Sequence, residues 1–203
     1  MSKNNFLTIR EVKQPISFLF AWHIAREHYV MARVSFMQGM VYPSCLLAEQ
    51  SVELFIKAIL HLDNKSKGIH YLPDLLKRGK AKIGYFDLLL TDERLKVFIE
   101  SLSLAYGKMR FGEAGFDINT KELCFALDEV AYSLDRLYQA TAQPHIVQRV
   151  RAVQKDGVTT QSYEKQKCLL YVPTALKEAF LRDNKFFNED AVSDNFMATV
   201  PMP

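Results

Sequence analysis

The stretch Ala48-Glu49-Gln50-Ser51-Val52-Glu53-Leu54-Phe55-Ile56-Lys57-Ala58-Ile59-Leu60 decides how this chain folds. Ala48, Val52, Phe55, Ile56 and Ile59 recur at three- and four-residue steps, the repeat of a helix with one face toward a core. Pro43 suits the first turn, where its missing N–H costs nothing, so the helix is expected from about Pro43 to Leu62. Leu46, Gln50, Glu53, Lys57 and Leu60 form a second stripe, separate from the core stripe. Glu53 precedes Lys57 by four residues, the favourable order for an intrahelical ion pair, which contributes only about 0.2 to 0.5 kcal/mol when solvent-exposed. Here leucines flank the pair, and that suggests a partly covered groove or a subunit contact.

Upstream, Pro15 to about Gln38 is rich in helix formers and predicts a first helix ending at Gly39. Leu19, Trp22, Ala25, Tyr29, Ala32 and Phe36 make one stripe, while Phe18, Phe20, Ile24 and Met31 cover other faces. Such a helix is expected to be buried on several sides, and more apolar than a small monomer covers comfortably. A homodimer through this helix or through the Glu53 stripe follows as an expectation. His23 and His28 then belong to the core or to that interface.

Downstream, the polar segment Asp63 to Gly68 is a loop, and Leu72 to Lys77 a short helix. After an ambiguous stretch, a helix is expected from Thr91 or Asp92 to about Lys108, capped by Thr91 and favoured by Asp92 and Glu93 at its positive end. Gly112 and Gly115 mark a loop, and Asn119 with Glu122 resembles a capping box for a helix reaching Ala142. Pro144 is expected to close it and to divide the chain into residues 1–143 and 144–203. Beyond it, Ile146 to Val153 and Val158 to Tyr163 flank Asp156-Gly157, the pattern of a β-hairpin, and Thr174 to Phe187 reads as a last helix. The fold class is all-α: an antiparallel bundle of four to five helices with a small C-terminal appendage, a β-hairpin plus a helix.

Composition sets the limits. With 49% hydrophobic and 24% charged residues, the 203-residue chain is too apolar for disorder and too charged for a membrane bundle. A net charge of +3 admits nucleic acid without demanding it. Cys45, Cys124 and Cys168 are too scattered for a CxxC pair or a metal cluster and read as reduced core thiols. The first residues lack the apolar core of a signal peptide, and no run approaches the roughly 18 apolar residues of a membrane span, so the cytoplasm is the expected compartment and no membrane contact is expected. Nothing resembles a phosphate-cradling glycine loop, a paired-histidine metal helix or a nucleophile elbow, so no cofactor or metal is expected.

Three segments carry more than helical pattern. They are the stretch 48–60, then His70-Tyr71-Leu72 with Leu75-Leu76, then Tyr106-Gly107-Lys108-Met109-Arg110-Phe111. In this order and spacing, over about Pro15 to Ala142, the chain resembles the HEPN domain family, helical domains found with nucleotidyltransferases and in toxin-antitoxin systems. The resemblance implies an antiparallel, frequently dimeric bundle with a groove for nucleotide or RNA, and ligand-binding roles for Glu53, Lys57, His70, Tyr106 and Arg110. Some members are ribonucleases that use an arginine followed four to six residues later by a histidine. In this chain the corresponding window after Arg110 holds Gly115, Phe116 and Asp117, and no other arginine has a histidine at that spacing. Without that histidine, the usual group for moving a proton on a ribose oxygen near neutral pH is missing.

The expectation is therefore a non-catalytic HEPN-like module binding a nucleotide or phosphate ligand or a partner nucleotidyltransferase. An RNA-binding or RNA-cleaving protein with an altered motif, and a purely structural oligomerisation bundle, are the alternatives.

Overall fold

A computed structural model describes residues 16–60, 70–110, 119–153 and 169–195; within these, residues 16–20, 110 and 141–153 are described by backbone alone. The described chain is mostly helical: α1 Ile16–Met37, α2 Val41–Ile59, α3 Leu72–Gly79, α4 Gly84–Thr91, α5 Glu93–Arg110, α6 Thr120–Val153 and α7 Thr174–Leu181. Two short strands, β1 Leu170–Tyr171 and β2 Val192–Ser193, pair in parallel.

The α1–α2 corner follows from one glycine. Gly39 adopts φ 77°, which a side chain would strain. The backbone N–H of Gly39 donates to Phe36 and that of Met40 to Ser35, closing the end of α1 and reversing the chain. Asp92, rather than Thr91, caps α5: its Oδ1 accepts the Leu95 N–H at 2.9 Å, while Thr91 ends α4 with its hydroxyl on the Asp87 carbonyl. The ambiguous stretch before it is α4. At the start of α6, Asn119 Oδ1 accepts the Glu122 N–H at 3.3 Å, as its spacing predicts.

Helix α1 lies at the centre. Ala32, Arg33, Val34, Ser35 and Phe36 are consecutive and all buried, which a helix achieves only when neighbours cover every side. It packs against α2, α6, α7 and β1. Of the residues on its other faces, Ile24 is half-buried and Met31 is 44% exposed.

Its polar groups follow the same logic. The run Trp22, Arg26, Tyr29, Arg33 repeats an aromatic-plus-arginine pair after seven residues, and Asp128 and Asp135 on α6 have the same separation. Trp22 Nε1 donates to Asp135 at 2.7 Å, and Arg26 Nε lies 3.2 Å from the same oxygen. One repeat along, Tyr29 Oη donates to Asp128 at 2.8 Å and Arg33 Nε lies 2.9 Å from it. The outer nitrogens of the two arginines reach the C-terminal segment, Arg26 donating to the Leu169 carbonyl and Arg33 to that of Arg182.

Pro144 does not end α6. Ile146 to Val153, expected as a strand, continues the helix, and the expected hairpin is not formed there. Ile146, Val147, Val150 and Val153 are spaced as one helix face, so periodicity outweighed their β-branched preference. The second half of that expected hairpin, 154–163, lies outside the described residues, as does Cys168; Cys45 and Cys124 are free and buried. Helix α7 is shorter than expected: it stops at Leu181, before Asp183 turns to φ 57°. Phe180 then packs edge-on to Tyr29, their ring centroids 5.6 Å apart, and Phe187 covers both Tyr29 and Tyr132. Phe180→Ala is expected to lower the unfolding free energy by about 3 kcal/mol in urea denaturation. A loss near zero would mean that the C-terminal segment is peripheral to the core.

Candidate functional site

The polar stripe of α2 is not a solvated face. Glu53 and Lys57 retain only 7% and 3% exposure, against the sequence expectation of an open pair or a half-covered groove. Their charges are joined in a salt bridge one helical turn apart. A buried lysine demands such a partner, because the cost of desolvating an isolated ammonium far exceeds what packing returns.

His70 meets this pair from the entry to α3. Its Nδ1 is 3.0 Å from the same Glu53 Oε1 that holds Lys57. An ionised carboxylate only accepts, so Nδ1 carries the hydrogen, and Nε2 is the edge left for another group. The side chain of His70 stays half-exposed. Tyr71 follows as the N-cap of α3, Pro73 occupies its first turn, and the Leu72 N–H donates to Ser103 on α5 at 3.3 Å. That last contact ties the histidine-bearing segment to α5.

Tyr106 and Arg110 follow Ser103 by three and seven residues and so share its face of α5. Tyr106 is half-buried, and Arg110 is the last residue of the helix. The structure thus joins Glu53, Lys57 and His70 directly.

Sequence reasoning missed Glu49. It lies one turn before Glu53, is fully buried, and neither carboxylate oxygen has a hydrogen-bond partner. Burial, reinforced by the charge of Glu53 and opposed by Lys57, pushes its carboxyl up to about 8. At neutral pH it is therefore held protonated, leaving Lys57 to Glu53. The signal was present, a Glu-x-x-x-Glu-x-x-x-Lys run in an apolar helix, but the sequence alone does not say which side of the helix is covered.

Among the described residues no group of three His, Cys, Asp or Glu side chains is placed to hold a metal ion. No described helix is long and apolar enough to cross a membrane.

A family model for the HEPN domain matches residues 19–139, more than half of the chain. The chain belongs to the HEPN family. No curated protein and no solved structure matches it. The HEPN match takes in α2 to α5, nearly all of α1 and α6 up to Gln139, and with them every residue of the Glu53–Lys57–His70 cluster. The C-terminal segment that receives Arg26 and Arg33 lies beyond the HEPN match.

Proposed function

We propose that this HEPN domain is a non-catalytic binding module whose site, at His70 and the C-terminal half of α5, takes a phosphate-bearing nucleotide. The observation that carries the reading is the orientation of His70 by a buried ion pair. Glu53, itself neutralised by Lys57, holds Nδ1 and turns the other imidazole nitrogen into the one free hydrogen-bonding position of a half-exposed ring. With the hydrogen on Nδ1, Nε2 accepts from a donor such as a ribose hydroxyl, and Lys108 and Arg110 at the end of α5 supply positive charge for the phosphate, the guanidinium with bidentate geometry. The absent arginine-histidine pair leaves binding without ribose-directed proton transfer.

Isothermal calorimetry with ATP, ADP and inorganic phosphate tests this. The nucleotides are expected to bind, His70→Ala to weaken binding about tenfold, or about 1.4 kcal/mol, and Arg110→Ala to abolish it while leaving stability within about 1 kcal/mol. RNA incubated with the protein is expected to stay intact. Absence of nucleotide binding by the wild type would refute the proposal and leave the cations of α5 as dipole partners only. RNA cleavage lost in His70→Ala would replace it with a ribonuclease reading.

A further inference from the structure

Val97 and Leu104 on α5 are 56% and 58% exposed, and Tyr71 at the start of α3 is about half-exposed. Together they line an open groove of about 640 Å³, within the roughly 300 to 1,000 Å³ of small-molecule sites. The polar groups on its walls are few: the carboxylate of Glu100 and the hydroxyls of Ser101 and Ser103. Apolar surface with a few convergent polar groups is the make-up of a ligand site, the first supplying contact and the second orientation. At Gly107 an added Cβ would meet no described atom, so nothing blocks the groove on that side.

The charge of Glu100 decides which part of a ligand belongs here. Its Oε1 lies 4.0 Å from Lys96 Nζ, longer than a hydrogen bond, and Glu100 accepts no hydrogen bond among the described residues. Two carboxylate oxygens are therefore open, and an ionised carboxylate only accepts. It repels a phosphate and favours a group that presents N–H donors. Arg110 lies ten residues further along α5, about 15 Å of helix, and suits the anionic end. Between them, Ser103 holds the Leu72 N–H at 3.3 Å and so ties the segment that carries His70 and Tyr71 to the middle of α5. The order along the helix is thus acceptor pair, histidine segment, cation, the order in which a base, a ribose and a phosphate follow one another.

Guanine is the base whose pairing edge sets two donors side by side, N1–H and the 2-amino N–H. Both can reach one carboxylate as parallel charge-assisted bonds. Adenine and cytosine place an acceptor nitrogen beside their amino group, and the carboxylate repels it. Uracil has a single donor between two carbonyls. The Tyr71 ring adds a flat surface on which any base can stack.

We propose that this groove holds the base of the nucleotide and that Glu100 makes it select guanine. The inference rests on the nucleotide-binding reading and adds to it the residue that chooses among bases.

Calorimetry on the full chain with GDP, ADP and guanosine tests it. GDP is expected to bind about tenfold more tightly than ADP. Glu100→Gln replaces two acceptors by one acceptor and one donor, the complement of the adenine edge, so the preference is expected to vanish or invert while ADP still binds. Tyr71→Ala is expected to weaken both diphosphates and Tyr71→Phe neither. Guanosine carries no phosphate, so its weaker binding is expected to survive Arg110→Ala and to be lost in Glu100→Gln. Equal affinity for GDP and ADP, or a preference for GDP that Glu100→Gln leaves intact, would overturn the base assignment while the nucleotide-binding reading stands. Failure of both diphosphates to bind would overturn that reading and this inference with it.

Discussion

Asp128→Ala lowers the unfolding free energy by about 3 to 5 kcal/mol in equilibrium denaturation, and Arg33→Ala does nearly the same. Both side chains are removed from water, Arg33 completely. Truncating either one leaves the other's charge in a core, and here the guanidinium carbon also sits 5.6 Å from the centre of the Phe180 ring. Against the roughly 5 to 15 kcal/mol that holds a typical domain folded, this is enough to bring the chain near unfolding. Arg33→Met combined with Asp128→Leu costs much less than either alanine change, since neither charge then remains buried alone. Tyr29 loses the Asp128 acceptor of its O–H in that double variant, a smaller cost than a buried lone charge, while the Asn184 side-chain nitrogen still donates to its oxygen at 3.2 Å. A loss below about 1 kcal/mol for Asp128→Ala would show that water reaches the pair.

Glu49→Gln removes a pH dependence of stability that the wild type carries between about pH 4.5 and pH 8. The folded-state carboxyl is raised to about 8, above its unfolded value, so the folded chain binds more protons in this window. Stability is full below the unfolded value and falls as pH rises through the window, by up to about 1.4 kcal/mol per pH unit. The glutamine chain lacks this slope, so its stability relative to the wild type rises steadily from pH 5 to pH 8. Comparing the two chains cancels the other titrating groups. One is His23, held down to about 4 by burial and by Arg26, whose contribution is lost in the opposite sense as pH falls from about 6.5. Another is Asp128, raised to about 6 by burial against the pull of Arg33. Denaturation curves for the two chains that run parallel from pH 5 to pH 8 would mean that Glu49 is ionised and solvated in the folded state.

Helix identity was legible where apolar residues repeat at the helical period and caps bound them. The end of α1 at Gly39, the start of α3 at Tyr71-Leu72-Pro73 and the start of α6 at Asn119 are local events, each fixed by one or two residues. The errors fell where local cues compete. Around Pro144 the β-branched residues argued for a strand and the periodicity for a helix, and the helix prevailed. Of the candidate site, the spacing of Glu53 and Lys57 announced an ion pair, yet not that it is buried, because one helix does not show which neighbours will cover it. His70, 17 residues away across a loop, reaches the pair only through the packing of α3 on α2 and α5.

By itself the sequence determined the helical class, the order of the helices and the absence of a ribonuclease arginine-histidine pair, all of which depend on residues close together along the chain. Tertiary structure alone decided that Glu49, Glu53 and Lys57 face inward and that Arg26 and Arg33 bridge Asp135 and Asp128 to the C-terminal segment. The physical reason is that burial belongs to a residue's surroundings. The same glutamate costs little on a solvated helix and holds its proton to about pH 8 once the helices packed on α2 close over it.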